Sequence, residues 1–186
     1  MSPMSHMNSG GIRQTLVYWL AVEIYQVNHI FIEKYISHMT RTWDQMEQAA
    51  RSGKQNLVEG SLENSIESNL KLTGVSRASY AELIEDYQDF HFKKGLKLWD
   101  KNDPRILAIR QKRIDIHETH VTHETNESYG VRFTDAESFA NLLITLCTKE
   151  GYLLDKFLAG IEKSFVEKGG FRENLFKKRF EYKKNQ

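Results

Sequence analysis

Four groups of side chains in this sequence have types and spacings that chemistry can use. His117, His120 and His123 recur at every third position, beside Glu118 and Glu124. Imidazoles three apart on a helix share a face, so two of them could ligate one metal ion. Zinc helices that catalyse usually space their histidines by four with an acid between. The competing reading is a solvated polar segment, and no metal is assigned. Glu82, Glu85, Asp86 and Asp89 form an acidic run. Di-metal bundles draw a Glu-x-x-His pair from each of two helices, and no such pair is evident here, so a wet acidic face is expected.

The third group is polar. Asn56 and Glu59 lie three apart, preceded by Gln45 and Arg51. The expectation is a structural hydrogen-bonded network of Gln45, Asn56, Glu59 and Glu82 that caps a helix end and sets the register between two helices, since buried charges are kept where they are paired. The alternative is a contact to a ligand or to nucleic acid. The fourth group is basic: Arg51, Lys54 and Arg77, with Lys177, Lys178 and Arg179 near the end. Such cations can grip phosphates, which gives affinity without reading sequence, or they can simply be solvated. There is no Gly-rich phosphate loop, no cysteine pair and no Ser or Cys nucleophile in a recognisable setting. The expectation is therefore a protein without catalytic residues, cofactor or metal.

The elements that must position these groups are helical. Across 186 residues, 40% hydrophobic and 27% charged, there are only two prolines, Pro3 and Pro104, so long stretches are free to be helical. Ten Phe, eight Tyr and three Trp supply a sizeable core. The net charge of +1 gives no global electrostatic argument for a nucleic-acid partner. One cysteine, Cys147, excludes an internal disulfide and suggests a reducing compartment. The polar, Gly/Ser-rich first dozen residues show no signal peptide, and the longest apolar run, over residues 16–22, is far short of a membrane span. A soluble, cytoplasmic protein is expected, with no membrane partner.

Periodicity places the helices. Leu16, Leu20, Ile24, Val27, Phe31 and Tyr35 form one stripe over residues 14–37, and Trp19, Val22, Ile30 and Phe31 a second. A helix apolar on two sides is expected deep in a bundle or at a subunit contact. A second helix is expected to open with a Thr42/Gln45 capping box and to end at Gly60. Its small residues Ala49, Ala50, Ser52 and Gly53 would let a neighbour approach closely. A third helix starts near residue 62 or 66 and runs to Lys94, with Leu72, Val75, Ser79, Leu83, Tyr87 and Phe90 on one stripe and Gly95 as its stop. Asp103 and Pro104 open a short helix reaching about His117. The polar segment 118–130 reads as a loop. A Thr134/Glu137 capping box starts the last long helix, whose stripe is Phe139, Leu143, Leu146, Leu153, Phe157 and Ile161. After Gly169 and Gly170, a basic tail carries Phe171, Leu175, Phe176 and Phe180 and is expected to form a short docked helix.

Together these predict an all-α, up-and-down four-helix bundle over residues 14–165. It carries a helical insert at 96–132, a disordered segment at 1–13 and a short basic suffix at 166–186.

Residues 44–60, DQMEQAARSGKQNLVEG, resemble the signature of bacterial four-helix-bundle proteins encoded in intervening sequences of large-subunit ribosomal RNA genes. The resemblance is carried by Gln45, Ala49, Ala50, Ser52, Asn56, Glu59 and Gly60, then by Ser79, Glu82 and Leu83. The stretch Glu167, Lys168, Gly169, Gly170, Phe171 is similar to a suffix of one branch, in which a Glu-Gly-Gly-Phe-like run precedes a basic helix. Lys54 stands where many members carry proline, and the insert is longer than in minimal bundles. The resemblance covers most of the chain. It implies a bundle that assembles as a ring-like homo-oligomer, a pentamer, with no enzymatic activity. A related branch, the accessory variability determinant of diversity-generating retroelements, implies RNA or DNA and a protein partner as further ligands.

Overall fold

The computed structural model describes residues 11–114, 125–126 and 129–184. Among these residues the chain is all-α apart from one very short hairpin. His117, His120 and His123, with Glu118 and Glu124, lie outside the described residues, as do residues 1–10 and most of the 118–130 segment. The α-helices follow in the order α1 (Leu16–Tyr35), α2 (Arg41–Leu62), α3 (Ile66–Lys94), α4 (Pro104–Gln111), α5 (Ala136–Lys168) and α6 (Phe171–Lys184). Two-residue strands β1 (Thr125–Asn126) and β2 (Val131–Arg132) pair antiparallel before α5. No helix is long and apolar enough to cross a membrane among the described residues.

The four long helices pack on one another. α1 lies against α2 and α5, and α3 lies against the same two. Between residues 17 and 32 of α1 only His29 is exposed. From residue 17 to residue 32 the two apolar stripes of α1 are thus covered within one chain. Beyond α2 and α5, the segment around the hairpin also closes over it: Tyr35 Oη donates to the Phe133 carbonyl at 2.7 Å, and Tyr129 Oη donates to Glu23 at 3.0 Å. Phe133 stacks on Phe139 of α5, with ring centroids 4.1 Å apart. Phe31 is the centre of the core, meeting Tyr87, Phe90 and Phe139 edge-on, the arrangement that aromatic quadrupoles favour.

Several helix ends differ from the sequence expectation. α2 begins one residue before Thr42, with Thr40 at its N-cap, so Thr42 sits inside the first turn. Gly60 does not end α2; it continues the helix, buried against Asn69 and Leu72 of α3. Here glycine serves close approach rather than a left-handed turn. The cap of α5 is Asp135 rather than Thr134, its carboxylate accepting from the Glu137 and Ser138 amides. A carboxylate next to the first turn outcompetes a hydroxyl one residue earlier because it also meets the positive helix end. Asp103 and Pro104 do open α4, which ends at Gln111, earlier than His117. Gly95 does stop α3, at φ 62°.

Glu137 and Asn141 of α5 tie down the chain between α3 and α4. Glu137 accepts from Trp99 Nε1 at 2.9 Å and from the Lys97 amide at 3.0 Å. These two bonds hold its carboxyl below the usual range, the Trp99 bond contributing most. Asn141 accepts from the Trp99 amide and donates to the Lys97 carbonyl. Its side-chain amide thus pairs with the backbone as a neighbouring strand would. Arg105 lies over the Trp99 ring at 3.5 Å.

Candidate functional site

A concavity runs between α2 and α3. One cavity of about 460 Å³ is lined by Gln45, Gln48, Ala49, Ser52, Glu82 and Asp86. A second, of about 320 Å³, shares Gln45 and Asp86 and extends to Thr40, Asp89, Phe90 and Lys93. The floor is narrow because the two helices meet through small groups. Ser76 Oγ donates to the Gly53 carbonyl at 2.6 Å, and Ser79 Oγ donates to Ser52 Oγ at 3.1 Å. The small residues at 49, 50, 52 and 53 on α2 thus admit the close approach that their size predicts. Gly53 faces the ring of Tyr80, which lies closer than van der Waals contact to where any Cβ would stand.

The four residues of the expected network all belong to this α2–α3 region, but they do not join into one network. Asn56 donates within its own helix, to the Ser52 carbonyl and Ser52 Oγ, both at 2.9 Å. Glu59 is exposed and accepts from Gln55 at 2.8 Å. Gln45 and Glu82 are exposed on the two rims of the larger cavity. The buried link between the helices is made instead by the serines. They are short enough to pair at this helix separation, where two long polar side chains would be pushed to the rims.

The rim is acidic. Asp86 is half-buried, and desolvation raises its carboxyl pKa, with Asp89 and Glu82 adding to the shift. Asp89 pairs with Lys93 at 3.6 Å, one turn along the helix. No basic side chain lines the larger cavity among the described residues. No group of three or more metal-ligating side chains converges among them either.

The basic residues do not form one patch. Arg77 is held by both carboxylate oxygens of Asp155, bridging α3 to α5. Lys54 lies 3.8 Å over the Tyr25 ring of α1, a cation–π contact. Desolvation lowers the Lys54 pKa, and neighbouring Arg51 lowers it further. Arg77 therefore faces the α3–α5 groove, while Lys54 faces the α1–α2 groove on the opposite edge. Lys177, Lys178 and Arg179 stand on α6, all exposed.

α6 is a helix, as expected, but it is not docked. Phe171, Leu175, Phe176 and Phe180 are between 48% and 71% exposed, and no residue of α6 is buried. Its base is fixed by Gly169, at φ 74°, and by buried Gly170 beside Glu67 at the start of α3. The apolar residues of α6 do not fall on one stripe. Phe171 and Leu175 lie on one side and the Phe176/Phe180 pair on another, so one flat surface of its own chain could not cover both.

Beneath the groove floor lies a feature that reasoning from motifs passed over. Glu150 of α5 is fully buried, and neither carboxylate oxygen has a hydrogen-bond partner among the described residues. Tyr80 Oη is likewise buried without a partner. Burial pushes the Glu150 carboxyl well above the ordinary carboxylate value. Desolvation also raises Tyr80 and Cys147, with the Glu150 charge adding to both. The signal was present: Leu143, Leu146, Cys147, Glu150 and Leu154 share one helical stripe, so a carboxylate occupies an apolar position of α5.

The chain matches no protein-family model, no curated protein and no solved structure.

Proposed function

We propose that this protein is a non-enzymatic scaffold: an up-and-down four-helix bundle of α1, α2, α3 and α5 that assembles with copies of itself. The observation that carries this reading is α6. A 14-residue helix is marginal by itself in water, and this one holds four large apolar side chains in solvent. Such surface is ordinarily covered by a partner. The likeness to intervening-sequence proteins supports a ring of five as the assembly. Light scattering on the full chain tests the reading. The wild type is expected to weigh several chains, and the exposed-site variant Phe176→Ser/Phe180→Ser to fall to one chain with an unchanged melting temperature. A one-chain mass for the wild type at all concentrations would refute self-association.

A second reading, an adaptor for RNA or DNA, is favoured by the same helix. Lys177, Lys178 and Arg179 form no ion pair among the described residues and flank the Phe176 and Phe180 rings. Cations next to aromatic faces suit the backbone and bases of a single strand. A gel shift at two salt concentrations separates the readings. An adaptor loses affinity with salt, and replacing all three cations by Ala makes the log–log salt dependence shallower by about 0.7 for each phosphate that the helix no longer neutralises. A scaffold alone gives no shift at either concentration.

A further inference from the structure

We infer that α6 of one copy docks in the α2–α3 groove of a second copy. The inference rests on the self-association reading and names its surface.

Charge favours the pairing. The larger cavity is rimmed by Glu82 and Asp86, with Glu85 one turn away, and has no basic lining residue among the described ones, whereas the smaller sets Asp86 and Asp89 against Lys93 and Lys94. α6 carries Arg172, Lys177, Lys178, Arg179, Lys183 and Lys184 against Glu173 and Glu181. Opposite fields at close range both steer the encounter and fix its register. Shape favours it too. The two linked cavities, about 460 and 320 Å³, give room for aromatic side chains over a floor of Ala49 and Ser52. The small-residue floor lets a third helix settle close to α2 and α3.

Reach selects a second copy over the helix's own chain. The base of α6 sits beside Glu67. At 1.5 Å per residue, Glu82 and Asp86 lie about 22 and 28 Å further along α3. Lys177 to Arg179 lie only about 10–14 Å from that base along α6. Folded back on its own α3, Lys177 to Arg179 would stop well short of the acidic rim, and only Lys183 and Lys184, about 20–21 Å along α6, would come level with its near edge at Glu82. From another chain the distance imposes no limit. Contact of one patch with a different patch is head-to-tail, a geometry that closes a ring when the rotation between copies closes.

A charge-swap series on the full chain tests the docking. Glu82→Lys/Asp86→Lys alters exposed or half-exposed positions, and Lys177→Glu/Lys178→Glu/Arg179→Glu alters exposed ones, so both variants should keep the wild-type melting curve. Each alone is expected to drop the light-scattering mass from the assembly to one chain. An equimolar mixture of the two is expected to restore association, because the acidic tail of one variant meets the basic groove of the other. If both variants keep the wild-type mass, the docking is wrong while self-association stands. If the wild type itself is one chain, both fall. If only the tail variant acts, and it abolishes a gel shift without changing the mass, α6 is a nucleic-acid arm and the groove is not its receptor.

Discussion

Replacing Glu150 by Met stabilises the fold by about 1–3 kcal/mol at neutral pH, the range mutational data give for burying a polar group without a partner. Glu150 has no exposed surface and no hydrogen bond among the described residues, so the folded state contains either an unpartnered charge or an unpartnered acid. The sign of the pH dependence follows from its raised pKa. The folded protein holds the proton to higher pH than the unfolded chain, which releases it above about pH 4.3. The folded state therefore binds more protons above that pH, and stability falls as pH rises towards the folded value. Tyr80 and Cys147, the titratable neighbours, are both raised away from this window and add no slope within it. Urea melts from pH 5 to 8 should show the wild type losing stability relative to Glu150→Gln, by at most about 1.4 kcal/mol per pH unit. Parallel curves for the two proteins, or a destabilised Glu150→Met, would show that the carboxylate has a partner in solution.

Gly53→Ala is expected to cost up to about 2 kcal/mol although alanine is the better helix former. A Cβ at this position would come within 3 Å of Cζ, Cε2 and Oη of Tyr80. Forcing extra volume into a packed interface costs about 1–3 kcal/mol, against a helix-propensity gain of about 1 kcal/mol. The neighbour cannot yield easily, since Tyr80 is buried and Ser76 bonds the Gly53 carbonyl from the same helix. Gly74→Ala and Gly151→Ala are the controls. Both positions are helical and open, with no atom near the would-be Cβ, so each should gain about 0.5–1 kcal/mol. Chemical denaturation should therefore give opposite signs for the two classes of site. A gain at Gly53 as well would mean that α2 and α3 sit further apart than their serine contacts require.

Local chemistry along the chain was enough for the helices and most of their inward faces. Leu20, Ile24, Val27 and Phe31 repeat at three and four and are buried, and Gly95 and the pair Asp103, Pro104 end and open helices where their chemistry requires. Periodicity, caps and backbone freedom all act within a turn or two. Local reasoning also misassigned what depends on a neighbour. Gly60 has the right type for a helix stop, yet continues the helix because α3 presses on it. Leu16 and Val75 belong to apolar stripes, yet are 43% and 42% exposed, since a stripe extends past the end or edge of what covers it.

Which polar groups meet depended on how the helices pack. Asn56, Glu59, Gln45 and Glu82 have spacings compatible with one network, but helix separation let serines make the buried link and left the longer side chains on the rims. Arg77 and Lys54 are near each other on no surface, because Asp155 and Tyr25 lie on opposite edges of the packed helices. The exposure of α6 was not legible either, because its composition suits docking and only the faces of the other packed helices determine whether a site is within reach. Spacing along a chain fixes which side chains share a helix face; the distance and rotation between helices fix which of them touch.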